Sequence, residues 1–129
     1  MKQHGERFSA LCARARDAIR EIDAPTLLGR LDRPGAPVLV DVREDHEWAA
    51  GRIPGAVHLG RGILERDVEA AWPDLGTELV LYCGGGFRSA LAARSLEEMG
   101  YTNVASLAGG QRGWRADGLP WDDSPVPVP

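Results

Sequence analysis

The stretch Val80-Leu81-Tyr82-Cys83-Gly84-Gly85-Gly86-Phe87-Arg88-Ser89 runs from an apolar segment into a thiol, three glycines and an arginine. Glu78-Leu79-Val80-Leu81-Tyr82 reads as a strand covered on both faces, because a short continuous apolar run bounded by turn residues is the pattern of such strands. Ser89 to Met99 reads as a helix, with Ala92, Ala93, Leu96 and Met99 on one face and Gly100 closing it. Cys83 therefore stands at the carboxyl end of a strand, in a turn that leads into a helix. In open parallel sheets that is where ligands bind.

The same alternation extends to both sides. Val38-Leu39-Val40-Asp41-Val42 is a second buried strand, Val104-Ala105-Ser106-Leu107 a third, and Gly51 to Leu59 a turn leading into another short strand. Glu44 to Ala50, residues 63 to 71 and Gln111 to Asp117 read as helical. Asp23 caps a short helix with Pro25 in its first turn and Leu27, Leu28 and Leu31 facing inward. Residues 1–22 read as one amphipathic helix, with Phe8, Leu11, Ala15, Ile19 and Ile22 on its apolar face, packed on the domain surface. The pattern predicts an α/β fold: a mostly parallel central sheet with helices on both faces. Three segments follow: the N-terminal helix (1–22), one domain (23–121) and a Pro-rich tail (122–129). The tail's prolines bar it from a sheet interior, so it is expected to run extended on the surface or to be disordered.

Bulk composition narrows the class. The 129 residues suit one domain with a real core, and the 43% hydrophobic and 26% charged content is that of a soluble globular protein. A net charge of -4 offers no general attraction to nucleic acid, and no apolar run approaches the length of a membrane span. The N-terminal stretch lacks the apolar core of a secretory leader, so a cytoplasmic location with Cys12 and Cys83 as free thiols is expected. Cys12, beside Leu11 and Ala15, reads as structural. His4, His46 and His58 are widely spaced and read as surface or packing residues, with no metal site.

The loop itself carries chemistry. Glycines tolerate positive φ, so successive N–H groups can turn inward into a concave nest, and the helix that follows adds the positive end of its dipole. A sulfur at the centre is favoured as the anion, and the same ring binds an anionic partner beside it. Arg88 adds a permanent positive charge. The alternative is an inert cysteine beside a glycine turn.

Four segments, taken in order, resemble the signatures of the rhodanese family. Leu39-Val40-Asp41-Val42-Arg43 is similar to the first, followed by the acidic Glu44, Asp45 and Glu47 and by Trp48. Gly51-Arg52-Ile53-Pro54-Gly55-Ala56 is similar to the second, Cys83 to Ser89 to the third, and Leu107-Ala108-Gly109-Gly110-Gln111-Arg112-Gly113-Trp114 to the fourth. Arg52 departs from the pattern, since many members carry a histidine there. The resemblance implies a single rhodanese-like domain and a sulfurtransferase working through a persulfide on Cys83. It implies a small anionic donor such as thiosulfate, a thiol or cyanide acceptor or a sulfur-accepting protein, and no metal or organic cofactor. Backbone N–H groups of Gly84, Gly85, Gly86, Phe87, Arg88 and Ser89 would cradle the persulfide. Arg88 would bind the donor's oxygens or hold the loop's shape, and Asp41 and Arg43 would brace it. Arg61, just past the second signature, is a candidate for the pocket mouth.

Two other readings stand beside this one. Cysteine phosphatases and arsenate reductases of the same fold place five residues between cysteine and arginine, whereas Gly84, Gly85, Gly86 and Phe87 make four. The smaller ring fits a sulfur better than a tetrahedral oxyanion, and Tyr82 rather than histidine precedes the cysteine. The other alternative is a non-catalytic binding or regulatory module, against which the intact Cys83 counts, or a sulfur-relay module that passes the persulfide to a protein partner, which the intact loop leaves open.

Overall fold

The computed structural model describes residues 4–126. Six helices and five strands follow one another as α1 (Glu6–Ala18), β1 (Arg20–Ile22), α2 (Ala24–Leu31), β2 (Val38–Asp41), α3 (Asp45–Ala50), β3 (Val57–His58), α4 (Leu64–Ala71), β4 (Leu79–Tyr82), α5 (Phe87–Glu98), β5 (Val104–Leu107) and α6 (Gly110–Ala116). The sheet order is β1-β5-β4-β2-β3, and every pairing is parallel. The central strands β4 and β5 are buried along their whole length, as their unbroken apolar runs require.

Side-chain alternation along the strands sorts the core into two layers. Leu79 and Leu81 join Val40, Val42, Leu64, Val68, Ala92, Ala93 and Leu96, the layer closed by α4 and α5. Val80 and Tyr82 point the other way, toward Ala24, Leu27, Leu39, Leu107 and Trp114, the layer closed by α2 and α6. Continuing the period, Cys83 falls on the α5 face with Leu79 and Leu81. Trp114, fully buried, anchors α6 and donates its indole N–H to the Pro120 carbonyl at 2.7 Å.

Residues 1–22 are not one helix. α1 stops at Ala18, Ile19 is extended (φ −113°, ψ 167°), and Arg20–Ile22 forms an edge strand in register with Ala105, Ser106 and Leu107. β-branched isoleucines at positions 19 and 22 fit helical spacing and an edge strand equally well. The exposed edge of β5 decides between them by offering partners for the backbone. Of the expected apolar face, Ala15 is buried, together with Cys12, whereas Leu11 is exposed. Residues 1–3 of the expected helix, and 127–129 of the tail, lie outside the described residues.

The start of the tail is fastened down. Arg52 and Asp122 exchange backbone hydrogen bonds at 2.8 Å each way. The Arg52 guanidinium, almost buried, pairs with the Asp122 carboxylate at 3.2 Å and donates to the Ser124 carbonyl at 2.9 Å. Arg52, the departure from the signature, is thus a clasp for the segment after Trp121. Trp121 lies against Gly51, where a Cβ would come within 2.4 Å of its indole nitrogen.

Asp41 and Arg43 form an ion pair that is 0% and 4% exposed, with Nη2 2.7 Å from Oδ2. The same Nη2 donates to the Gly51 carbonyl at 2.6 Å, and the guanidinium lies 5.6 Å from the centres of the Tyr82 and Trp121 rings. Removing one partner of such a pair strands the other charge out of water. Asp41→Asn is expected to lower the unfolding free energy by about 3–5 kcal/mol in urea titration. A loss under about 1 kcal/mol would put the pair in the class of exposed surface bridges and refute its structural weight.

Candidate active site

Gly86 adopts φ +97° and ends the turn from β4, so that α5 begins at Phe87, two residues before the expected Ser89. The turn closes around the Cys83 sulfur. The backbone N–H groups of Gly86 and Ser89 donate to Sγ at 3.2 and 3.3 Å, and Sγ lies 3.4 Å from Ser89 Oγ. Ser89 Oγ in turn meets Ser106 Oγ at 2.7 Å. Both serines are fully buried. Ser106 follows Ala105 of the opposite core layer, so strand alternation turns it to the α5 face beneath the sulfur.

α6 shapes the loop from behind. The Gln111 N–H donates to the Cys83 carbonyl at 2.9 Å and the Arg112 N–H to the Gly84 carbonyl at 3.0 Å. Helix N–H groups that have no partner within their own helix thereby hold the loop's carbonyls away from the sulfur. Among the described residues the N–H groups of Gly84, Gly85, Phe87 and Arg88 keep no acceptor. Gly110 makes this approach possible. It sits at φ +58°, and a Cβ there would stand 2.6 Å from the Gly84 oxygen and 2.7 Å from that of Cys83.

The sulfur opens on a cleft of about 460 Å³ lined by His4, Phe8, His46, Glu47, Gly85, Phe87, Arg88 and Arg112 together with Cys83. Arg88 does not stand free in it. Its guanidinium makes a two-pronged bond to the Glu47 carboxylate at 2.8 and 3.1 Å, and Glu47 also accepts the Glu44 N–H at 3.0 Å. The Arg88 bond, partly opposed by burial, holds the Glu47 carboxyl down at about 2. Arg88 therefore fastens α3 to the loop and keeps the loop's shape. Asp41 and Arg43 pair with each other and with Gly51, and neither has a hydrogen bond to residues 83–89. Their brace acts on the Gly51 turn and the Tyr82 ring, one residue before the cysteine. Tyr82 accepts the Ile53 N–H at 3.1 Å, and burial raises its hydroxyl far above the usual range.

Arg61 lies elsewhere. It pairs with Glu65 and lines a separate groove with Leu11, Arg14, Leu91 and Ser95, between α1 and α5. Its position after the second signature misled because α4 carries Glu65 into reach of the guanidinium. Conversely, α1 enters the site. Phe87 packs against His4 (ring centres 4.5 Å apart) and Phe8 (6.1 Å), and Arg16 stacks over its ring at 4.5 Å. The Cys12 Sγ–H donates to the Phe87 carbonyl at 3.9 Å. Burial pushes the Cys12 thiol up, which keeps it protonated for that contact. His4, Phe8, Cys12 and Arg16 recur every four residues, a stripe legible in the sequence once Phe87 is known to be its target. His58 packs on Trp48 (ring centres 5.1 Å apart) with Nε2 2.9 Å from the Arg43 carbonyl.

A thiol on a ring of backbone donors, in a cationic cleft at the carboxyl ends of a parallel sheet, defines a cysteine-based anion-binding site. The family model for the rhodanese-like domain matches residues 23–117, and the chain belongs to that family. It is 35% identical over 102 residues to a sulfurtransferase of Allochromatium vinosum, covering 79% of this chain and 94% of the relative. Among solved structures, the polysulfide-sulfur transferase homodimer of Wolinella succinogenes superposes with a TM-score of 0.77 at 27% identity, over 92% of this chain and 88% of that one. A protein of unknown function from Rhodopseudomonas palustris, described as a possible tyrosine phosphatase, superposes with a TM-score of 0.79 at 33% identity, over 93% and 98%. Among the described residues no helix is long and apolar enough to cross a membrane.

Gly110→Ala should drive α6 off the loop and sharply slow the alkylation of Cys83 by iodoacetamide. Wild-type reactivity in that variant would show that the α6 contacts do not shape the ring. For Glu47, whose carboxyl lies below its ordinary 4.5 in the folded protein, the ion pair stabilises fully above about pH 4.5 and fades as the pH falls toward 2. Melting temperatures of wild type and Glu47→Gln across that window should converge as the pH drops; parallel profiles would contradict the pairing.

Proposed function

We propose that the protein is a sulfurtransferase that moves a sulfane sulfur from thiosulfate, or a donor like it, to a thiol or cyanide acceptor through a persulfide on Cys83. The observation that carries the reading is the pair of N–H bonds from Gly86 and Ser89 to Cys83 Sγ, with further unpaired loop N–H groups beside them. Such donors stabilise negative charge on sulfur without reorganising during the reaction. In the first step the Cys83 thiolate attacks the outer sulfur of thiosulfate. The sulfur–sulfonate bond breaks, and sulfite leaves with its electron pair. In the second step the acceptor's lone pair attacks the outer sulfur of the persulfide and returns the Cys83 thiolate. Ping-pong kinetics follow from this division. The wall made by His4 and by Phe8 of α1 narrows the entrance, which favours a small or extended acceptor over a bulky one.

Phosphoryl chemistry is the reading to test against, given the description of the Rhodopseudomonas relative. Two features weigh against it. The ring has four residues between Cys83 and Arg88, and Arg88 is already committed to Glu47 instead of to an incoming oxyanion. After treatment with thiosulfate, mass spectrometry should find one added sulfur on Cys83, discharged by cyanide as thiocyanate and missing in Cys83→Ser. Release of phosphate from an aryl phosphate without any sulfur gain would overturn the proposal.

A further inference from the structure

Three guanidinium groups surround the cysteine loop, and they are not equivalent. Arg16 is stacked over the Phe87 ring, and Arg88 is neutralised by Glu47. Arg112 is exposed, lines the cleft beside Cys83, and among the described residues has no carboxylate partner. Its guanidinium lies over the glycines of the loop: a Cβ at Gly85 would stand 2.8 Å from Nη1, and one at Gly84 3.3 Å from Nη2. Side chains at either glycine would obstruct this seat.

We infer that Arg112 is the residue that selects an anionic sulfur donor, gripping its terminal oxygens while the outer sulfur faces Cys83. The inference rests on the sulfur-transfer reading and adds the group that recognises the donor's charge. The Arg112 backbone N–H is bonded to the Gly84 carbonyl, so its side chain is carried by the element that shapes the loop. A planar guanidinium offers two parallel N–H groups to a sulfonate, in a geometry a lysine cannot reproduce. Arg88 cannot serve without breaking its bonds to Glu47. Recognition and ring shape thus fall to two different arginines, one from α6 and one from α5.

Alkylation of Cys83 reads the charge selection without requiring turnover. Iodoacetate and iodoacetamide react with the same thiolate, and only the first is an anion. Peptide mass spectrometry should show Arg112→Gln lowering the rate ratio of iodoacetate to iodoacetamide at Cys83 by about tenfold, as expected for losing one charged hydrogen-bond partner. Arg112→Lys should fall between the two. A ratio in Arg112→Gln within about twofold of wild type, the range of ordinary surface substitutions, would overturn the inference. In steady-state assays with thiosulfate the same variant should raise KM more than it lowers kcat; a fall in kcat with unchanged KM would also overturn it. If wild type takes no sulfur from thiosulfate, the sulfur-transfer reading fails, whereas the alkylation ratio still decides whether Arg112 draws anions to Cys83.

Discussion

The site depends on two hydrogen bonds that cross from one crossover unit to the next, from Gln111 to the Cys83 carbonyl and from Arg112 to that of Gly84. A turn of consecutive glycines has no preferred direction for its peptide groups. By capturing the carbonyls, α6 leaves the loop's amides on the sulfur's side, and the N–H groups of Gly86 and Ser89 meet it. The α6 helix N-terminus is spent on the loop's backbone, whereas the α5 N-terminus faces the thiol. Parallel pairing of β4 and β5 makes this possible, because it brings the N-termini of the two following helices, which lie on opposite faces, to the same end of the sheet.

Around that ring the arginines take different roles through their neighbours. Arg43 is buried with Asp41 and tightens the Gly51 turn. Arg52 clasps the C-terminal segment, Arg88 ties the loop to α3, and Arg16 covers Phe87. Each of these charges is already matched to a carboxylate, a carbonyl or a ring. Arg112 keeps its fork available to solvent and to whatever enters the cleft. Identical chemistry thus yields structural and recognition residues according to what stands within reach.

The N-terminal segment shows how a peripheral element becomes part of the site. α1 lies against α5, and the edge strand β1 that follows completes the sheet beyond β5. Strand pairing fixes where the helix must end. The helix then lays Phe8, Cys12 and Arg16 along the Phe87 side of the loop, with His4 just before it on the same side.

Much of this was legible in the sequence because local pattern carries it. The apolar runs at 38–42, 78–82 and 104–107 named the central strands, the Cys83 to Ser89 loop located the thiol, and Asp23 is a helix cap, accepting the Thr26 N–H at 2.8 Å. What local pattern could not decide was pairing between distant segments. Helical spacing at Ile19 and Ile22 gave no hint of a free edge on β5. The loop arginine, Arg88, is paired with Glu47, and Arg112, to which local pattern assigned no role, reaches the cleft from α6. Periodicity records only whether a side chain turns toward the core or the solvent. Which charge meets which, and which amides are left open around a sulfur, depends on elements tens of residues apart being packed together.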